Sequence, residues 1–176
     1  MNQPLPDILD SNIKLLFIGF NPSLTSGVVG HNYANPSNRF WKILKEANIT
    51  ERQLKPEEDI TLLKEGIGFT NIVDRPTKTA AELTKQEFIE GRNKLIEKIK
   101  LYNPAIVCFV GKGVYVQYSL KRNIKWGMQT DSVVQGVIEF VAPSSSGLVR
   151  MKLDEVIDIY KDLTKLWECY KDGENN

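Results

Sequence analysis

Ile13-Lys14-Leu15-Leu16-Phe17-Ile18-Gly19-Phe20 runs directly into Asn21-Pro22-Ser23-Leu24-Thr25-Ser26-Gly27, and this junction decides the fold class. From Leu15 to Ile18 both alternating sets of side chains are apolar, so both faces of the strand need cover, as in a central strand of a parallel sheet. Two further runs have the same character, Ile67–Val73 and Ala105–Gly111, and Val137–Ala142 reads as a fourth strand. Enough chain separates each pair to hold a helix.

The helices between them carry clear signals. Thr84-x-x-Glu87 is a capping-box pattern, and Phe88, Ile89, Leu95, Ile96 and Ile99 then form one apolar stripe that Pro104 closes. Leu153, Val156, Ile157, Tyr160, Leu163 and Trp167 make a second stripe near the C-terminus. Ser37 is read as the N-cap of a helix carrying Phe40, Ile43, Leu44 and Ala47, and a short helix is expected to begin near Lys112. Strands alternating with helices imply an α/β fold, a three-layer α/β/α sandwich on a mostly parallel four-stranded sheet. Residues 1–176 read as one domain, with 1–12 and 172–176 expected as flexible ends. Such sheets bind ligands at the carboxyl ends of their strands.

Composition narrows the function classes. Lys and Arg number 23 against 22 Asp and Glu, a net charge of +1, so any nucleic-acid contact must come from a local patch. Cys108 lies inside an apolar run and reads as a buried thiol. With Cys169 far away and His31 the sole histidine, neither a zinc ribbon nor a four-thiolate cluster can be assembled, and no cofactor is expected. The N-terminus lacks the basic and apolar blocks of a signal peptide, and the apolar runs are too short for a bilayer. The expectation is a soluble, monomeric, cytoplasmic protein with no membrane contact, nucleoid-associated if the source is bacterial.

Two segments that follow strand ends concentrate small polar residues: Gly19–Gly27, and Pro143-Ser144-Ser145-Ser146-Gly147-Leu148-Val149-Arg150. Ordinary turn chemistry accounts for their composition, since Asn-Pro and Ser-Gly are common turn pairs. Exposed amides and hydroxyls would also suit an anion site, although neither segment has a Walker A or dinucleotide glycine pattern.

Seven blocks follow one another along the chain: Leu16–Leu24, Gly30-His31-Asn32-Tyr33, Ser37-Asn38-Arg39-Phe40-Trp41-Lys42, Gly66–Thr77, Lys94–Ile99, Gly111-Lys112 and Pro143–Leu148. Taken in this order, the set resembles the mismatch-specific uracil-DNA and thymine-DNA glycosylases of the uracil-DNA glycosylase superfamily. The resemblance spans most of the chain. It implies a monofunctional glycosylase that hydrolyses the N-glycosidic bond of uracil, and more weakly thymine, mispaired with guanine in double-stranded DNA.

The resemblance also implies site residues. Asn21 would orient the attacking water, a task of placement rather than activation because an amide is no base. Tyr33 would stack on the extruded base, with Ser26 and Asn71 at its edge, and backbone amides near Phe20 would receive charge on the departing base. His31 beside the pocket is read as structural. Leu148 would fill the gap left in the stack, with Gly147 and Val149 meeting the widowed guanine. Ser144, Ser145, Ser146 and Arg150 would hold flanking phosphates. Ser23 stands where the family usually has glycine, which leaves room for other deaminated bases such as hypoxanthine or xanthine. The triple serine resembles the thymine-DNA branch, whereas Gly147-Leu148 resembles the bacterial uracil branch. A catalytically silent lesion-binding protein is the contrasting reading, and the presence of Asn21 argues against it.

Overall fold

Alternate residues of β1 (Leu15–Gly19) face two different cores, which is why the strand is apolar throughout. Leu15 and Phe17 join Phe40, Trp41, Leu44, Phe69, Tyr160 and Trp167 on one side. Leu16 and Ile18 join Leu95, Ile99, Val107, Phe109, Tyr115 and Val141 on the other. β3 (Ile106–Val110) divides in the same way, with Ile106 and Cys108 in the first core and Val107 and Phe109 in the second. In the computed structural model, which describes residues 3–172, these cores lie between the helices and a central sheet, giving the expected three layers.

The sheet order is β2-β1-β3-β5-β4, where β2 is Ile67–Asn71, β4 is Gly127–Met128 and β5 is Ile138–Ala142. The pairs β1–β2, β1–β3 and β3–β5 are parallel. The sheet has five strands rather than four: β4 pairs antiparallel to β5, Gly127 with Val141 and Met128 with Phe140. Two residues are too few to leave a pattern in the sequence. The chain leaves β1 for one neighbour and later returns on its other side with β3, so the crevice at the carboxyl ends opens beside β1.

Helices α2 (Phe40–Glu46) and α5 (Leu153–Lys171) cover the first core, and α3 (Lys85–Tyr102) and α4 (Lys112–Ser119) the second. Thr84 caps α3 as the sequence indicates, its hydroxyl accepting from Glu87 N–H at 3.2 Å while the Glu87 carboxylate accepts from Thr84 N–H at 2.8 Å. Ser37 does not cap α2. Arg39 occupies the N-cap position without a side-chain bond, and Asn38 Oδ1 accepts from Phe40 N–H at 2.9 Å. Ser37 instead turns onto Asn35.

The N-terminal segment also departs from expectation. Leu5 and Ile8 are buried, and Ile8 exchanges two backbone hydrogen bonds of 2.9 Å with Phe69 at the edge strand β2. Asp7 accepts from Thr70 Oγ1 and pairs with Lys98, each at 2.6 Å. Residues 3–9 are thus a strap along β2, anchored by two apolar residues in a polar stretch. Of the expected C-terminal tail, Asp172 falls within the described residues and follows α5 directly, while 173–176 lie outside them. No helix among the described residues is long and apolar enough to cross a membrane.

Candidate active site

The ends of β1, β2, β3 and β5 meet around a cavity of about 480 Å³, within the size range of small-molecule sites. Gly19 lines it at the end of β1. A Cβ there would lie 2.5 Å from Asn71 Oδ1 and 3.1 Å from the Tyr33 hydroxyl, so the close approach of both side chains depends on glycine.

Beyond Gly19 the β1–β2 pairing continues as a loop ladder. Ile72 N–H donates to Gly19 O, Val73 N–H to Phe20 O and Thr77 N–H to Pro22 O. This lays residues 72–77 beside 19–23 and brings Arg75 and Thr77 against Asn21. The Asn21 amide nitrogen donates to Arg75 O at 2.9 Å and to Thr77 Oγ1 at 2.7 Å. Thr77 in turn donates its own proton to Thr79 O at 2.7 Å. A backbone carbonyl can only accept, so the amide's orientation is dictated by its partner. Asn21 Oδ1, the acceptor end, is left without a bond from the loop. Arg75 is itself clamped, donating to both carboxylate oxygens of Glu87 at 2.6 and 3.1 Å and to Glu82 O. Those hydrogen bonds, with the one from Thr84 N–H, hold the Glu87 carboxyl down at about 2.

Ser23 does not reach across the cavity as a free hydroxyl. It is the N-cap of α1 (Leu24–Val29), accepting from Ser26 N–H at 3.1 Å with its backbone extended. Ser26 is buried and accepts from Ala34 N–H at 3.0 Å. Tyr33 adopts φ +52° and stacks on Phe40, with ring centroids 3.9 Å apart and planes inclined by 14°. One ring face is therefore covered, and the half-buried residue still lines the cavity. Burial pushes its hydroxyl well above the ordinary tyrosine range.

The expected catalytic residue Asn21 and the expected base-pocket set, Phe20, Ser26, Tyr33 and Asn71, all line this one cavity. The serine loop divides. Ser144, Ser145, Ser146 and Val149 contribute to the wall, while Gly147, Leu148 and Arg150 do not. Ser145 is buried, while Ser144 and Ser146 are partly exposed. The Ser144 and Ser146 hydroxyls accept from Ser146 N–H and Leu148 N–H, each at 3.2 Å. Leu148 is 93% exposed. His31 lies outside the wall and pairs with Asp59.

Some wall residues carried no local signal. Leu5 comes from the N-terminal strap, and Trp126 from the loop before β4 with Lys112 Nζ 4.2 Å above its ring. The lining contains two lysines, Lys78 and Lys112, and no Asp, Glu or His. Among the described wall residues there is thus no carboxylate or imidazole to take a proton.

A protein from Methanosarcina acetivorans, provisionally identified as a uracil DNA glycosylase and solved in solution by NMR, superimposes with a TM-score of 0.58. The match covers 93% of this chain and 98% of that one at 22% identity, a likeness of fold. The sequence profile of the uracil DNA glycosylase superfamily matches residues 6–172, from the N-terminal strap to the end of α5, and the chain belongs to that superfamily of DNA glycosylases.

Proposed function

We propose that this DNA glycosylase hydrolyses the N-glycosidic bond of uracil, and more slowly thymine, mispaired with guanine in duplex DNA, leaving an abasic site without cutting the strand. The observation that carries the reading is the Asn21 amide, whose nitrogen is committed to Arg75 O and Thr77 Oγ1 so that Oδ1 is free for a water. The extruded base stacks on the open face of Tyr33 with Asn71 and Ser26 at its edge. As the bond to the sugar lengthens, the bonding pair moves onto the base, and backbone N–H groups near Phe20 stabilise the charge on its carbonyl oxygen. The water held by Asn21 then meets an oxocarbenium-like sugar and loses its proton to solvent after attack. Leu148 fills the vacated stack, and Gly147 and Val149 meet the widowed guanine. Ser144, Ser146 and Arg150 hold phosphates. Guanine mispairs are favoured because weak pairs cost less to open. Discrimination against thymine by one methyl group is modest, roughly 1–3 kcal/mol. With the Ser23 hydroxyl engaged as a helix cap, uracil remains the preferred substrate over purines.

The test uses end-labelled duplexes with one G·U, G·T, A·U or G·hypoxanthine pair, wild-type protein and Asn21→Ala. Alkali-dependent scission, strongest at G·U and lost in the variant, is expected. Scission mainly at hypoxanthine would move the substrate, and tight mismatch binding without scission would replace the enzyme with a lesion-binding protein.

A further inference from the structure

Two carboxylates are buried among the described residues, Asp59 and Glu139. Glu139 serves the far side of the sheet, accepting from the Tyr115 hydroxyl at 2.6 Å and Val133 N–H at 2.8 Å, which ties the chain before β5 to that strand. Asp59 has a different relation to the site. It belongs to the 3-10 segment Pro56–Glu65 and contributes nothing to the cavity wall. Yet both its oxygens are committed to the two residues immediately before Tyr33. Oδ1 pairs with His31 Nδ1 at 3.1 Å, and Oδ2 accepts from Asn32 N–H at 2.8 Å and from Asn32 Nδ2 at 3.1 Å.

Burying a carboxylate is costly unless its lone pairs are used, and here one short segment supplies the donors. The grip continues on either side. Trp41 Nε1 donates to Asn32 O at 3.3 Å, and Ala34 N–H donates to Ser26 Oγ. Between these anchors Tyr33 stands at φ +52°, a conformation that a bulky residue keeps only when its surroundings over-determine it. The conformation turns the ring flat onto Phe40.

We propose that Asp59 is a positioning residue for base excision: by fixing residues 31 and 32 from behind, it holds the Tyr33 ring where an extruded base must stack. The inference rests on the reading of Tyr33 as that stacking surface. Without the carboxylate, Asn32 loses its backbone anchor, Tyr33 relaxes toward negative φ, and the ring leaves Phe40. The flipped base then lacks its platform although the DNA-facing loops are untouched.

The experiment measures single-turnover excision from a G·U duplex at saturating protein, together with affinity for the same duplex carrying an abasic site. The proteins are wild type, Asp59→Ala, Asp59→Asn, Tyr33→Leu and the Asp59→Ala/Tyr33→Leu double variant. Asp59→Ala should slow excision about tenfold, the scale of one lost base–aromatic stack, while abasic-site affinity stays at the wild-type level. Asp59→Asn should recover part of the rate, because its amide keeps an acceptor oxygen for Asn32 N–H. In the Tyr33→Leu background, removing Asp59 should cost nothing further. Equal slowing in both backgrounds, or rate and affinity falling together, would make Asp59 a support of the fold alone and overturn the inference. Tyr33→Leu at the wild-type rate would instead overturn the stacking reading itself, and no Asp59 variant is needed to see it. Should Asp59→Ala fail to fold, Asp59→Asn with and without Tyr33→Leu completes the same cycle.

Discussion

The loop after β1 and the loop after β5 stand on either side of β3, both rich in small polar residues, yet they are held in opposite ways. Residues 19–23 are gripped from outside, by the 72–77 segment through three backbone hydrogen bonds and through the Asn21 amide. Residues 143–150 are gripped at the root and turn on themselves at the tip. Tyr160 donates to Pro143 O at 3.0 Å and Arg39 N–H to Ser145 O at 2.9 Å, while a Cβ on Gly147 would come within 2.8 Å of Ser37 O. Within the loop, the Ser144 and Ser146 hydroxyls close local turns, and Leu148 projects into solvent. A group that must hold one water needs its geometry fixed before DNA arrives. A group that must enter a base stack needs reach and an apolar end, and gains its contacts only on binding. The two loops show the same residue types serving preorganisation in one place and exposure in the other.

The sharpest test of that contrast gives one loop a chemical phenotype and the other a binding phenotype. Asn21→Ala should lower single-turnover excision of uracil by roughly 10²–10³-fold, comparable to losing one preorganised transition-state contact, with affinity for the G·U duplex preserved. A loss of affinity instead would mean that the first loop also builds the DNA surface. Leu148→Ala should act on the extruded state. Losing a leucine's burial in the stack should reduce commitment to cleavage by roughly 10–100-fold, and more at A·U than at G·U because the stronger pair must be opened. Equal effects on both pairs, measured with the same duplexes, would remove Leu148 from base extrusion.

Much of the frame was legible in the sequence, for a physical reason. A strand covered on both faces is apolar at every position, and the capping box at Thr84 uses residues three apart, so β1, β3 and α3 are written locally. The edge strand β4 and the strap at residues 3–9 are not, because two paired residues and two buried side chains leave no period to detect. The cavity residues found from family blocks, Asn21, Tyr33 and Asn71, do converge. Their partners are not legible in the sequence. Thr77 and Asp59 act across 56 and 27 residues of chain, respectively, and no spacing rule encodes such a pair. Ser37 is not the cap because Asn38, a residue of equal capping ability, lies next to it and takes the bond.

Thr77 supplies the next prediction in size. Thr77→Val keeps the branched shape but removes the acceptor for Asn21 Nδ2 and the donor to Thr79 O. The amide retains Arg75 O and becomes free to swing. One net hydrogen bond is worth on the order of 1 kcal/mol, so excision should slow by about fivefold with DNA affinity unchanged. A rate as low as that of Asn21→Ala would show that Thr77 itself meets the water.

The smallest effect lies one link further back, at the Arg75–Glu87 clamp that steadies the carbonyl facing Asn21. The Glu87 carboxyl is held down at about 2 by the Arg75 guanidinium and Thr84 N–H, whereas an unfolded glutamate titrates near 4.3. A carboxyl with a depressed folded value contributes stability that is present above the unfolded value and is lost as pH falls through the folded one. The contribution should therefore be complete at pH 6, decline below about pH 4.3 and vanish near pH 2. Arg75 and Glu87 are partly exposed, so solvent screens the pair, and Glu87→Gln should lower the melting temperature at pH 6 by a few degrees at most. The gap between variant and wild type should narrow steadily as the melts are repeated at pH 5, 4 and 3. A gap that stays constant with pH would assign the loss to something other than the carboxylate's charge, because the Arg75 pair and the Thr84 cap bond are both made by the Glu87 carboxylate and weaken together as it is protonated.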